Sequence, residues 1–157
     1  MAYGRTVIGG IARSLQVTAD GTPKMKAGGV TIDWSTVAAV SGSDVTLNDG
    51  TVVPVGAKYL RYGQVITLIT ASSKYGPYDV SPVNDGRQTL ARGKCFILNE
   101  TVVNDDPKSD HPPVLDGGRV WKGRLIMTTG TASLTAGPTV ANFEAAFPQI
   151  SYAEDAN

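Results

Sequence analysis

Four Asp-Gly dipeptides punctuate the chain: Asp20-Gly21, Asp49-Gly50, Asp85-Gly86 and Asp116-Gly117. Glycine reaches the positive φ angles of tight hairpins without steric penalty, so each dipeptide reads as a chain reversal. The segments between them are unlike one another, so these are recurrent turns rather than a repeat. The material between the turns suits strands. The chain holds 17 Val, 16 Thr and 8 Ile beside 18 Gly and 9 Pro. Branched side chains favour pleated backbone, and Gly and Pro favour its turns. The expectation is a mainly β domain. At 157 residues a chain buries about 68–70% of its unfolded surface, enough for a core without disulfide staples.

The clearest hairpin is Ser43–Gly56. A two-residue turn at Asp49-Gly50 sets Leu47 opposite Val52 and Val45 opposite Pro54, which makes one side apolar. The other side then carries Thr46, Asn48 and Thr51, with Val53 as the exception. Pro54 cannot donate to a ladder and places its strand at an edge. Strands are predicted at 44–48, 51–55, 63–70, 94–103 and 119–127, the third buried in part on both faces. Weaker candidates are Thr6–Ile11, Ser14–Thr18 and Thr31–Val37. One helix is predicted over 138–147, with Val140, Phe143, Ala146 and Phe147 at helical spacing and Pro148 as its stop. Residues 75–83 and 104–113 are rich in turn formers and read as loops.

Charge and composition exclude several functions. Fourteen basic residues balance fourteen acidic ones, which argues against direct nucleic-acid binding, whose affinity rests on neutralising phosphates. One Cys and one His cannot build a disulfide framework or a Cys/His zinc site. No apolar run is long enough for a membrane span and no signal peptide opens the chain, so the expected product is soluble and stays where it is made. Charge is uneven along the chain. Residues 1–26 carry Arg5, Arg13, Lys24 and Lys26 against Asp20, whereas only Glu144, Glu154 and Asp155 are charged after Arg124.

No residue pattern assembles a reaction centre. G-x-S-x-G, S-x-x-K and H-E-x-x-H are all missing. Gly86–Lys94 resembles a phosphate loop only loosely, since its glycines are too far apart and Cys95 stands where Ser or Thr would hold magnesium. It reads as a turn followed by a strand. His111 reads as a loop histidine. Asp105, Asp106, Asp110 and Asp116 offer oxygen ligands but lack the order of a calcium loop. Asn99-Glu100-Thr101 matches a glycosylation sequon by accident, and Cys95 reads as a small buried hydrophobe. Tyr59, Tyr62, Tyr75 and Tyr78 are either a stacking surface or half-buried packing. The reading is a protein that is not an enzyme, with no cofactor and no metal.

One stretch carries a resemblance, from Gly63 to Leu125. A glycine-started strand, Gly63-Gln64-Val65-Ile66, leads to Lys74-Tyr75-Gly76-Pro77-Tyr78. Asp85-Gly86 follows, then Ala91-Arg92-Gly93, a hydrophobic strand ending in Glu100-Thr101-Val102, an acidic loop, and Gly118-Arg119-Val120. In order and spacing this resembles the lambda-type head decoration (capsid cement) proteins of tailed bacteriophages. The resemblance implies a tulip-like antiparallel β domain with one short C-terminal helix and an N-terminal extension. The division expected is 1–30, an extension or small β subdomain, and 31–157, the decoration domain. It implies a homotrimer on the outer surface of an expanded capsid, made in the host cytoplasm, with the major capsid protein as partner and no membrane. The family commonly attaches through an N-terminal segment, which makes Arg5, Thr6, Val7, Ile8 and Arg13 the capsid-binding candidates. Trp121, Leu125 and Met127, read as one face of a strand, are the trimer-interface candidates. The alternatives are another phage structural part (tail tube, connector or head fibre) and a carbohydrate- or ligand-binding β module using Trp34 and Trp121. Exposure of both tryptophans on one face would favour the module.

Overall fold

A strand made only of apolar residues needs cover on both faces, and that need organises the fold. The computed structural model describes residues 24–47, 49–79, 84–104, 111–121, 125–126, 145–147 and 150–153. Within them, β7 (Cys95–Leu98) has all four side chains buried. It lies between β5 (Val65–Leu68) and β9 (Val114–Trp121). The sheet continues to β6 (Tyr75–Pro77) beyond β5 and to β1 (Lys24–Met25) beyond β9, and β10 (Ile150–Ala153) also pairs with β9. Two further pairs are β2 (Val45–Thr46) with β3 (Val52–Val53) and β4 (Tyr59–Leu60) with β8 (Val102–Val103). Among the described residues the fold is mainly β with almost no helix. The ladders are antiparallel apart from β9 with β10.

The pleat sorts the core into two clusters. Val65 pairs with Ile97, and Ile97 with Leu115. This row faces one cluster, closed by Val120, Leu125, Ala146, Phe147 and Ile150. One residue along each strand, Ile66, Phe96, Leu98 and Val114 face a second cluster, closed by Val30, Ile32, Val37, Leu60 and Val102. The expected burial of the 63–70 strand on both faces is therefore found. Each large side chain buried this fully contributes about 1.5–3 kcal/mol.

Several elements differ from expectation. The β2–β3 hairpin has a three-residue loop, not two: Val45 pairs with Val53 and Thr46 with Val52. Gly50 N donates to Leu47 O at 2.9 Å, Leu47 N donates to Thr51 O at 2.8 Å, and Gly50 has φ +88°. The loop is closed by a glycine in the left-handed region. The shift reverses the faces. Val53, the expected exception, is fully buried, and Val52 is exposed. Pro54 lies just past the end of β3, and β3 is an edge strand as expected.

Asp116-Gly117 is not a turn but lies inside β9. There the pairing with β1 slips, since Lys24 faces Gly117 while Met25 faces Leu115. Glycine in a strand commonly marks such a bulge. From Gly118 onward β9 pairs with β10 instead. The expected 119–127 strand thus runs over Val114–Trp121, with Leu125 and Ile126 beyond its end. The expected 94–103 strand breaks at Asn99-Glu100, after which Val102–Val103 turns away to pair with β4.

Tyr75–Pro77, expected as loop, is β6, where Pro77 needs no ladder donor because the strand is outermost. Thr31–Val37, expected as a strand, holds a 3-10 turn at Trp34–Thr36. Asp33 Oδ1 accepts from Ser35 N at 3.1 Å and from Ser35 Oγ at 2.6 Å, an alternative to strand pairing. Before that turn the chain lines the outer edge of β6: Tyr75 N donates to Thr31 O and Asp33 N to Tyr75 O, both at 2.8 Å.

Lys24–Met25 belong to the main sheet and Val30 to its core, so part of the segment assigned to an N-terminal extension belongs to the body. The candidates at Thr6–Ile11 and Ser14–Thr18 lie outside the described residues. Of the expected 138–147 helix, Ala145–Phe147 are described; Ala145 and Ala146 are helical, and Ala146 and Phe147 are buried.

Leu115 joins β1, β7 and β9 and is fully buried. Leu115→Ala is expected to cost about 2–5 kcal/mol, seen as a lower denaturation midpoint at unchanged slope. A loss under about 0.5 kcal/mol, the range of ordinary surface substitutions, would contradict this core.

Candidate functional site

The loop that follows β6 is anchored by a buried arginine. Arg87 is 8% exposed. Its Nε donates to Asp85 Oδ2 at 2.8 Å, and its Nη1 lies 3.9 Å from Asp79 Oδ2. Asp85 Oδ1 accepts from the Arg87 amide at 3.0 Å. The Arg87 carbonyl accepts from Thr67 Oγ1, itself fully buried in β5, at 2.8 Å. Thr70 N donates to Asp85 O at 2.8 Å. Asp85-Gly86-Arg87 is thus fastened to the end of β5 rather than forming a hairpin tip.

Two glycines make room for it. A Cβ on Gly86, at φ +104°, would sit 2.5 Å from Thr70 Oγ1 and 2.7 Å from Leu68 O. A Cβ on Gly76 would sit 2.8 Å from Arg87 Cδ and 2.5 Å from Thr36 Oγ1. Burial pushes the Asp85 carboxyl up, but hydrogen bonds and charge from Arg87 outweigh it, and the net shift is below the usual carboxylate value. A buried charge held this fully is a structural anchor. The sequence does not display this anchor, because Asp-Gly signals a turn whatever residue follows it.

The expected chemical groups fall into place around this body. Cys95 is buried; burial raises its thiol to about 11, against a hydrogen bond to Ala91 O, so it is a poor nucleophile. His111 is exposed, with Nδ1 3.5 Å from Thr31 Oγ1. Asp105, Asp106 and Asp110 lie outside the described residues, and among the described residues no three metal-ligating groups gather. Gly86–Lys94 is a pair of turns leading into β7, as expected. Asn99, the sequon residue, lies in the bend before β8 with its Oδ1 buried and unpartnered. Tyr59, Tyr62 and Tyr75 are half-buried and Tyr78 is 4% exposed, so the tyrosines are packing. Tyr75 meets Phe96 edge-on at 5.7 Å, and burial raises the hydroxyl pKa of both Tyr75 and Tyr78.

Neither tryptophan is fully exposed. Trp34 is half-buried against the second cluster, with Lys58 Nζ donating to its carbonyl at 2.6 Å. Trp121 is half-buried at the end of β9. Leu125 is fully buried inside the protomer, so the expected Trp121–Leu125–Met127 interface row is not a single exposed face. Met127 and the attachment candidates Arg5, Thr6, Val7, Ile8 and Arg13 lie outside the described residues.

The described residues line several surface hollows. One of about 280 Å³ is lined by Val37–Ser41, Val45, Tyr59–Arg61 and Gln64. Gln64 Nε2 donates to Ile126 O at 3.1 Å, so that amide is committed to the fold. Another of about 400 Å³ lies between Tyr78, Gln88–Arg92 and Ala145–Ala146. Neither brings a nucleophile to a base. Among the described residues the large apolar side chains left open are Val52 and Val55, 57% and 51% exposed, both at the β2–β3 hairpin. Comparison with family models, characterised proteins and solved structures returns no match.

Asp85→Ala is expected to cost about 1.5–3 kcal/mol by leaving Arg87 short of its closest partner. The folded carboxyl sits below its ordinary value of 3.8. Its contribution is therefore complete above that pH and fades as acid protonates the folded form. The stability gap between wild type and variant should stay constant near neutrality and close in strong acid. A gap that widens on acidification would contradict the anchor.

Proposed function

We propose that this protein is a structural component of a tailed-phage head, a decoration protein that binds the expanded capsid as a trimer and clamps neighbouring capsid subunits. The observation that carries the reading is where the resembling pieces fall. Gly63–Ile66 enters β5 and Lys74–Tyr78 spans β6. Asp85-Gly86 is fastened across the end of β5, Ala91–Gly93 leads into β7, and Gly118–Val120 lies in β9. Three of these pieces thus lie in one sheet and two at the ends of its strands, while Glu100-Thr101-Val102 leads into the separate β4–β8 pair.

The role suits a chain whose polar interior is spent on structure. A clamp needs a rigid body and short contacts repeated in several copies, since joined weak contacts bind far more tightly than each alone. The N-terminal segment supplies a basic, β-branched run, Arg5-Thr6-Val7-Ile8, followed by Gly9-Gly10 and Arg13. Such a run pairs with a neighbouring strand through backbone hydrogen bonds, with little demand on sequence. Each exposed arginine adds about 0.2–1 kcal/mol against an acidic partner. The site of action on this reading is the outer surface of the virion.

The test joins solution mass with binding to expanded, DNA-free heads. A homotrimer that saturates heads is expected. Removing residues 1–13 should leave the core folded and should weaken head binding strongly. A protein that is monomeric both free and on heads, or that ignores heads, would overturn the reading. A truncated chain that keeps its melting temperature and full affinity would sink the role of the N-terminal run alone.

A further inference from the structure

We infer that the free edge of the β2–β3 hairpin is a second attachment surface, which takes an extended apolar strand with a cationic flank from the capsid subunit; this rests on the decoration reading above. Val52 and Val55, at 57% and 51% exposed, are the large apolar side chains left open among the described residues. Val52 sits where the backbone is also open, and Val55 lies just beyond the end of β3. The hairpin is a sheet of two strands, so the far side of β3 has no partner among the described residues.

The hydrogen-bond alternation shows which groups point outward. Leu47 N donates to Thr51 O, which makes that pair the bonded one. Thr46 and Val52, the next pair, are therefore the non-bonded one, and the Val52 N–H and C=O point away from β2. An exposed edge with apolar side chains invites pairing, and proteins usually blunt it with charge or proline. Here Pro54 ends the edge after one rung, and Asp44 Oδ1 already accepts from Val55 N at 3.0 Å. The edge can take one short strand and cannot extend into a fibre.

Charge selects the occupant. Residues 27–57 contain Asp33, Asp44 and Asp49 and no Lys or Arg. Asp44 and Asp49 are exposed, each using one oxygen to hold a hairpin amide, Val55 N and Thr51 N respectively. Two copies of the hairpin laid edge to edge would bring these carboxylates together, which is unfavourable. A strand from another protein, apolar at alternate positions and flanked by Lys or Arg, satisfies the valines, the open Val52 amide and the carboxylates together.

The experiment uses the full chain with Val52→Lys and Val55→Lys, singly and together, and measures co-sedimentation with expanded, DNA-free heads. Both side chains are exposed, so melting temperature and solution mass should match wild type. The double variant is expected to bind at least tenfold more weakly, and added salt should weaken the wild type more than the variant. Undiminished binding by the double variant, beside a wild type that binds, overturns this inference and leaves the decoration reading standing. A wild type that does not bind heads overturns the reading itself. A variant that drops to a smaller oligomer assigns the edge to a second copy of this chain and also overturns the inference.

Discussion

The twofold burial of β5 and β7 is the constraint from which the rest of the structure follows. Val65, Ile66, Thr67, Ile97 and Leu98 are all fully buried. Strands buried on both faces must find their covering residues elsewhere in the chain. One face is closed from the C-terminal side, by Leu125, Phe147 and Ile150. The other is closed from the N-terminal side, by Val30, Ile32 and Val37, together with the β4–β8 pair. The order of strands in the sheet reflects this demand. β1 and β10, far apart in sequence, both end on β9 because β9 is where the central strands still need a partner.

Buried polar groups follow the same logic. Thr67 lies in the middle of β5 with no access to water, and its hydroxyl is answered by the Arg87 carbonyl. The segment that delivers this carbonyl must reach the core, and it brings its arginine with it. The guanidinium is then held by Asp85 and Asp79, one before it in the same turn and one at the end of β6. Gly76 and Gly86 are the space this arrangement needs, since a methyl at either would strike Thr36 or Thr70. A threonine in a central strand, a glycine in the neighbouring strand and a glycine in a distant turn are thereby parts of one contact.

Much of the fold was legible in the sequence, where side-chain period alone decides. The strand within 63–70, the apolar start of 94–103 and the hairpin around Asp49-Gly50 all follow from such patterns. What escaped was decided by hydrogen bonds that residue type does not display. A third loop residue moved the hairpin register, and Val52 and Val53 exchanged faces. Tyr75-Gly76-Pro77 became a strand because the chain at 31–33 offered it backbone partners. Asp116-Gly117 served a bulge in β9 rather than a reversal, because β9 changes partner there. Of the candidate site, the packing roles of Cys95 and the tyrosines were readable from residue type. The buried state of Leu125 was not, because a partly apolar row looks the same whether it closes a core or a protomer interface.

The surface that remains limits how such a body can hold a partner. With Arg87 and Asp85 committed to the fold, attachment on the decoration reading falls to backbone edges and a few apolar side chains. A single contact of about 4 kcal/mol gives only millimolar affinity. Several such contacts linked in one assembly, as in the proposed trimer, raise it by about 10²–10⁴, provided the spacing matches. A partner presenting binding sites at fixed distances, as a closed shell does, supplies that match, whereas a lone subunit does not. On the decoration reading, discrimination between an expanded shell and free capsid protein then comes from geometry and needs no deep pocket. A short hairpin edge that would be too weak for a monomeric receptor is, for this reason, strong enough here.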